Sequence, residues 1–182
     1  MAKYPEVQRK LQAEIDHVVG ETRLPSLTDR LSMPFTQAVI HETLRLAVIF
    51  PIGVPHKSTQ EVRIGDYTIP ANTVIIANTW ALHLDQNVWG DPTNFRPDRF
   101  LNEDDGSFVK HEGCLGFSVG KRKCIGETMA MDQLFMFVTN IFKVFNVGSP
   151  VLSEELDIDP VLGNLLSPKP HKLVFTVRKE PL

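Results

Sequence analysis

The chain has 182 residues, 42% of them hydrophobic and 23% charged, the ordinary balance of a soluble globular protein with one domain and a real core. A formal net charge of −3 leaves no global field for nucleic acid, and two cysteines, Cys114 and Cys124, are too few for a disulfide framework. They fit a reducing, cytosol-facing environment best, and no run approaches the roughly 20 apolar residues needed to cross a bilayer.

In chain order, Met1-Ala-Lys-Tyr4 leads straight into a helix, as at a natural N-terminus or at a cut through a longer protein. Pro5 suits the first helical turn, and Val7, Leu11, Ile15 and Val18 fall on one face, with Gly20 as a stop. Glu6 and Lys10 are spaced to pair on the wet side. Leu24 to Ser32 reads as a connector with a short helix from Ser26 to Leu31. Pro34 then opens a second helix running to about Leu46 or Ala47. It carries Glu42 and Arg45 three apart, so both point the same way. As a solvated bridge this pair would contribute under about 1 kcal/mol, but the apolar neighbours Ile40, Leu44, Leu46, Val48, Ile49 and Phe50 argue against a simple surface helix.

Between Phe50 and Pro55, two prolines and Gly53 force an extended path, whose apolar side chains either line a pocket or simply pack. Val62 to Ile69 reads as a hairpin turning at Gly65-Asp66, and Val74 to Ala77 as a third strand. Thr79 to Leu84 suits a short helix. From Asp85 to Asp105, Trp89, Phe95 and Phe100 recur among prolines and Gly90, which predicts a packed meander rather than a linker. Asn102 to His111 is polar and reads as an exposed loop. Beyond the second cysteine, Met129, Ala130, Leu134, Phe135, Val138, Ile141 and Phe142 repeat at helical spacing on more than one face, which predicts a buried helix. Leu173 to Val177 reads as a strand, paired with Val161 to Leu166 around the Ser167–Pro170 turn.

The stretch Phe117-Ser-Val-Gly120-Lys-Arg122-Lys-Cys124-Ile-Gly126 concentrates the chemistry. It holds one sulfur in a glycine-rich loop just ahead of a helix. Lys121, Arg122, Lys123 and the free N–H groups of that helix all favour negative charge on it. Phe117 offers a flat apolar face, and Gly120 and Gly126 let backbone approach something bulky and planar. A phosphate-binding loop fails on spacing, because Gly116 to Gly120 is one residue too short and Arg122 stands where Ser or Thr is needed. A buried structural cysteine and a reactive nucleophile are the alternatives, though the loop offers no partner base. Ligation of a haem iron by the thiolate accounts for more of the loop than either.

Three motifs in fixed order carry a resemblance. Glu42-Thr-Leu-Arg45 resembles an E-x-x-R element. Phe95-Arg-Pro-Asp98-Arg99-Phe100 resembles a P-E-R-F meander with Asp for Glu. The loop at Phe117–Gly126 matches F-x-x-G-x-R-x-C-x-G at each fixed position. The chain is thus similar to the cytochromes P-450, haem-thiolate monooxygenases, and to microsomal animal members among them. The resemblance implies a mainly α fold with small β-sheets (α+β), and haem b (iron protoporphyrin IX) with Cys124 as the axial iron ligand. It places Phe117, Gly120 and Gly126 against the porphyrin, and Arg122 and His56 at its propionates. Glu42, Arg45 and Arg99 become a buried network that supports the site, and no catalytic residue beyond the haem ligand is expected.

By the same resemblance, Phe50, Ile52, Gly53, Val54 and Leu165 contact a lipophilic small-molecule substrate. Electrons come from NADPH through NADPH-cytochrome P-450 reductase, with cytochrome b5 as a further donor, docking near Lys121–Lys123. The full protein would sit on the cytosolic face of the endoplasmic reticulum membrane, held by an N-terminal anchor that this stretch does not show. Residues 1–182 correspond to the C-terminal haem-binding portion of such a domain, without the central oxygen-activating helix. Two functions follow as expectations. One is a monooxygenase inserting one oxygen atom from O2. The other is a truncated, catalytically silent chain without stable haem binding.

Overall fold

Pro5 occupies the first turn of α1 (Pro5–Val19), where its missing N–H costs no helical hydrogen bond, and Gly20 ends the helix at φ 69°. This is from a computed structural model that describes residues 1–178. Leu11, Ile15 and Val19 are buried, while Val7 and Val18 pack partly buried against the same core. Lys10 does not serve its helical neighbour Glu6. Its ammonium reaches Asp98 of the meander at 2.7 Å. Residues Leu27–Ser32 form a 3₁₀ helix closed by a reciprocal Ser26–Asp29 capping box.

The second helix, α2 (Pro34–Ala47), starts at Met33, whose side chain cannot cap it. Glu14 of α1 supplies the cap. Its carboxylate accepts from the Phe35 N–H at 2.8 Å, and from the Thr36 N–H and hydroxyl, each at 2.7 Å. An anion on the orphan N–H groups of a helix start stabilises it, and here it also fixes α2 against α1. Both helices bury apolar side chains against α5 (Glu127–Val144), forming a core that includes Leu11, Ile15, Met33, Val39, Phe135 and Phe142.

Between these helices the chain is short-stranded. β1 (His56–Lys57) pairs with β4 (Val74–Ile75), and β2 (Val62–Ile64) with β3 (Tyr67–Ile69) around Gly65-Asp66. The segment at Val74 therefore joins β1 rather than the hairpin, and it ends at Ile75. Ser58 explains the pairing, because its hydroxyl accepts from the Thr73 N–H and donates to the Pro70 carbonyl. Two short helices follow, α3 (Thr79–His83), capped by Asn78, and α4 (Gln86–Trp89), capped by Asp85. The meander then packs as expected, with Trp89 and Phe100 buried beside Ala38 and Cys114.

Two further expectations need correction. Helix α5 is not buried all round. Met131, Phe135 and Phe142 are covered, but Met129 and Phe137 are each 66% exposed, because α1 and α2 pack on one face only. The strand after Leu173 also finds another partner. β8 (Val174–Val177) pairs with β5 (Phe145–Gly148), while β6 (Pro160–Val161) pairs with β7 (Ser167–Pro168). The end of α5 selects this arrangement. Arg178 donates to the Phe142 and Lys143 carbonyls, and the rings of Phe145 and Phe175 meet edge to face at 5.8 Å. The described residues thus combine helices with four two-stranded sheets, the mixed architecture expected.

Replacing Glu14 by Ala removes the cap of α2. It is expected to lower unfolding stability by about 1–2 kcal/mol. Urea denaturation reads this directly, and an unshifted midpoint would mean that α2 holds its start without Glu14.

Candidate functional site

Glu42 and Arg45 lie one turn apart on the inner face of α2, and both are 0% exposed. Arg45 donates from Nε to Glu42 Oε2 at 2.7 Å and from Nη2 to Oε1 at 2.8 Å, a two-pronged pair. Its remaining N–H groups turn to the chain outside α2. Nη1 donates to the carbonyls of His83 and Pro92, each at 2.8 Å, and Nη2 to that of Asn94 at 3.3 Å.

Glu42 Oε1 accepts two further bonds from the meander, from the Arg96 N–H at 2.8 Å and from Arg99 Nε at 3.2 Å. Arg99 continues to the Trp89 carbonyl at 2.9 Å and to Asp91 at 3.0 Å. The Trp89 ring lies against both guanidinium groups, at 5.1 and 5.8 Å. Every buried charge in this set is paired, which is the condition under which burying it is tolerable.

The second part of the site is the cysteine loop. The Cys124 N–H donates to the Phe117 carbonyl at 2.9 Å, and the Lys123 N–H to that of Gly120 at 3.1 Å, closing Phe117 to Cys124 into a compact turn. Gly120 has φ 73°, in the left-handed region, so a side chain there would strain the backbone although the space is open. A Cβ on Gly126 would come within 3.8 Å of the Cys124 sulfur. Phe117 packs partly buried on the α1–α2–α5 core, so the loop is anchored at one end. Cys124 is an exposed residue, two positions before the Gly126 cap of α5. Cys114 differs in kind. It is buried, and burial pushes its thiol up to about 11.

Lys123 of the basic cluster is tied down, pairing with Glu127 at 2.7 Å, while Lys110 reaches the same carboxylate at 3.0 Å. Burial pushes the Glu127 carboxyl up, but the bonds from Lys123 and Lys110 outweigh it and hold it below its ordinary value. Lys121 and Arg122 are exposed. His56 lies exposed in β1 opposite Ile75, and no hydrogen bond, ion pair or ring contact among the described residues links it or Arg122 to the sulfur. The apolar stretch is drawn together with the C-terminal turn. The Leu166 N–H donates to the Ile49 carbonyl at 3.0 Å, so the residue after Leu165 meets the residue before Phe50. Phe50, Ile52, Val54 and Leu165 are all exposed.

Four residues matter here that sequence reasoning did not single out: His83, Trp89 in its role between the arginines, Asp91 and Glu127. Only Glu127 left a signal, as an acid four residues after Lys123 at a helix start. The others acquire their roles through contacts across the fold.

The donor set can be tested against a haem. Among the described residues no group of three or more His, Cys, Asp or Glu could hold an ion. Within Phe117–Gly126, Cys124 is the single His, Cys, Asp or Glu, and one soft ligand would suit a metal that arrives with its other ligands already in place. Behind the loop, the cavity bordered by His41, Cys114, Phe117 and Met131 is only about 20 Å³, room for about one water. A planar cofactor would have to lie on the outer side, where Cys124, Ile125 and Val119 are exposed. On both counts the residues fit.

The cytochrome P450 family model matches residues 1–175, and the chain belongs to that family. It is 43% identical over 173 residues to cytochrome P450 2J3 of Rattus norvegicus and to cytochrome P450 2J2 of Homo sapiens, covering 95% of this chain and 34% of each relative. It is 40% identical over 174 residues to farnesoate epoxidase of Bombyx mori, covering 96% of this chain and 35% of that protein. The chain thus spans about a third of the length of these relatives.

Arg45→Ala would leave Glu42 buried with only Arg99 and one N–H as partners. Unfolding stability is expected to fall by about 3–5 kcal/mol. A loss below about 1 kcal/mol in urea titration would reduce the pair to the worth of a surface bridge.

Proposed function

We propose that this chain is the C-terminal haem-binding portion of a monooxygenase that inserts one oxygen atom from O2 into a lipophilic small molecule. The observation that carries the reading is the exposed Cys124, its backbone held by the Cys124–Phe117 hydrogen bond just ahead of α5. When bound, haem b would supply the oxygen-activating redox chemistry. The chain's own residues bind and orient. Cys124 would hold the iron, Phe117 would offer an apolar face beside it, and Gly120 and Gly126 would let the backbone turn close to the cofactor.

Arg122 and His56 are assigned to the propionates, as groups able to donate to a carboxylate. Glu42, Arg45 and Arg99 hold the meander and α2 as one unit beneath the loop. Phe50, Ile52, Gly53, Val54 and Leu165 are assigned to the substrate, and the exposed apolar side chains of Phe50, Ile52, Val54 and Leu165 support a lipophilic one. The exposed Lys121 and Arg122 suit an acidic electron donor, assigned as NADPH-cytochrome P450 reductase with cytochrome b5 as a second. Anchorage to the endoplasmic reticulum is assigned to the longer protein; no described helix here is long and apolar enough to cross a membrane.

A second reading is favoured by one feature, the uncovered apolar side chains of α5 and of the loop. Ile125 is fully exposed and Met129 and Phe137 are 66% exposed. With such surface open, the chain by itself would be catalytically silent and would not hold haem stably. Both readings are separated spectroscopically. In the haem-loaded protein the reduced carbon monoxide complex should show the red-shifted Soret band of thiolate ligation. Cys124→Ser should abolish this band and Cys114→Ser should retain it. A band that survives Cys124→Ser overturns the ligand assignment, and a chain that takes up no haem alone supports the second reading for residues 1–182.

A further inference from the structure

His83, the last residue of α3, is 0% exposed and uses both ring nitrogens. Nδ1 lies 3.0 Å from the Arg45 carbonyl, and the Leu115 N–H donates to Nε2 at 3.0 Å. These partners fix the tautomer. A carbonyl can only accept, so Nδ1 carries the proton, and an amide N–H can only donate, so Nε2 is bare. The clasp is also mutual, because Arg45 Nη1 donates to the His83 carbonyl at 2.8 Å.

We propose that His83 is the positioning residue of the cysteine loop, a neutral imidazole that joins the buried arginine of α2 to the backbone from which the loop departs. The bonds form one continuous path. Leu115 gives its N–H to His83 and takes the Ser118 N–H on its carbonyl at 2.9 Å, and Phe117, between them, takes the Cys124 N–H. The imidazole is thus the direct link between the Glu42–Arg45 pair and the chain that carries the sulfur. Its effect on haem rests on the assignment of Cys124 as ligand; the joint itself does not.

Protonation would place an N–H on Nε2, facing the Leu115 N–H, and two donors cannot share that bond. The joint therefore holds only with His83 neutral. Burial pushes its titration below the ordinary histidine value; the Arg45 carbonyl opposes this, the Arg45 guanidinium assists it, and Glu42 opposes it. On the other packed elements, Arg99 donates to the Trp89 carbonyl and to Asp91, the Trp89 ring meets His83 edge on at 6.4 Å and His111 at 4.2 Å, and Cys114 beside Leu115 keeps a neutral thiol. A depressed folded-state value fixes the sign. The contribution is complete above the ordinary histidine value of about 6.5 and is lost as pH falls through the lower folded value.

The test follows amide exchange at Leu115 and the ¹⁵N shifts of the His83 imidazole in the protein as pH is lowered. At pH 7 the shifts should report the Nδ1–H tautomer. Leu115 protection should be flat above the transition and fall about tenfold per pH unit below it. His83→Gln keeps an acceptor that does not titrate, so its Leu115 protection should stay flat. His83→Asn keeps a donor near Arg45 but is too short to reach Leu115, so protection should be low throughout. An Nε2–H tautomer or an imidazolium at pH 7 overturns the proposal even if no variant folds, and so does equal protection in His83→Asn and wild type. Acid loss of the thiolate Soret band should move to lower pH in His83→Gln. Predicted Leu115 behaviour in a protein that binds no haem would support the joint and, for residues 1–182, the catalytically silent reading.

Discussion

A buried guanidinium is the constraint around which this structure is arranged. Arg45 is fully enclosed, so each of its N–H groups must find an oxygen, and one carboxylate cannot satisfy them all. Glu42 takes two of the bonds, and the carbonyls of His83, Pro92 and Asn94 take the rest. Those carbonyls can be presented only if the chain after α3 curls back as a meander. Glu42 needs further donors in turn, and the Arg96 N–H and Arg99 supply them from that same meander. The irregular stretch from Asp85 to Phe100 is therefore irregular for a reason. It is the shape that pairs one helix's buried charges.

The cysteine loop inherits its place from this arrangement. On one side Phe117 packs on the core formed by α1, α2 and α5, and on the other Leu115 is bonded to His83. Between these anchors the left-handed turn at Gly120 and the Cys124–Phe117 bond present the sulfur outward, ahead of α5. A rigid base with an open ligand is what an iron–sulfur bond to a planar cofactor calls for. Lys110 and Lys123 add a second brace through Glu127, at the first residue of α5.

Much of this was legible in the residues and some was not. Helices α1, α2 and α5 followed from apolar spacing bounded by Pro5, Pro34 and Gly20, because a long amphipathic period is a local property. The three motifs located the network and the loop. Strand partners were harder. β1, β4, β6 and β7 are two residues long and carry no alternation, so their pairing depends on contacts such as Ser58 with Thr73. Periodicity by itself does not set the exposure of Met129 and Phe137, since it reports which residues are apolar and not what covers them. His83 stands in a short helix like any polar residue there. Its role exists only because Arg45 and Leu115 converge on it.

The central claim is that the network on α2 presents one sulfur, that of Cys124, to a haem iron. X-ray absorption at the iron edge of the haem-loaded protein reads that bond without relying on catalysis. The account predicts a single iron–sulfur path in the wild type, retained in Cys114→Ser and lost in Cys124→Ser. A spectrum with no sulfur neighbour in the wild type, or one unchanged in Cys124→Ser, would contradict it.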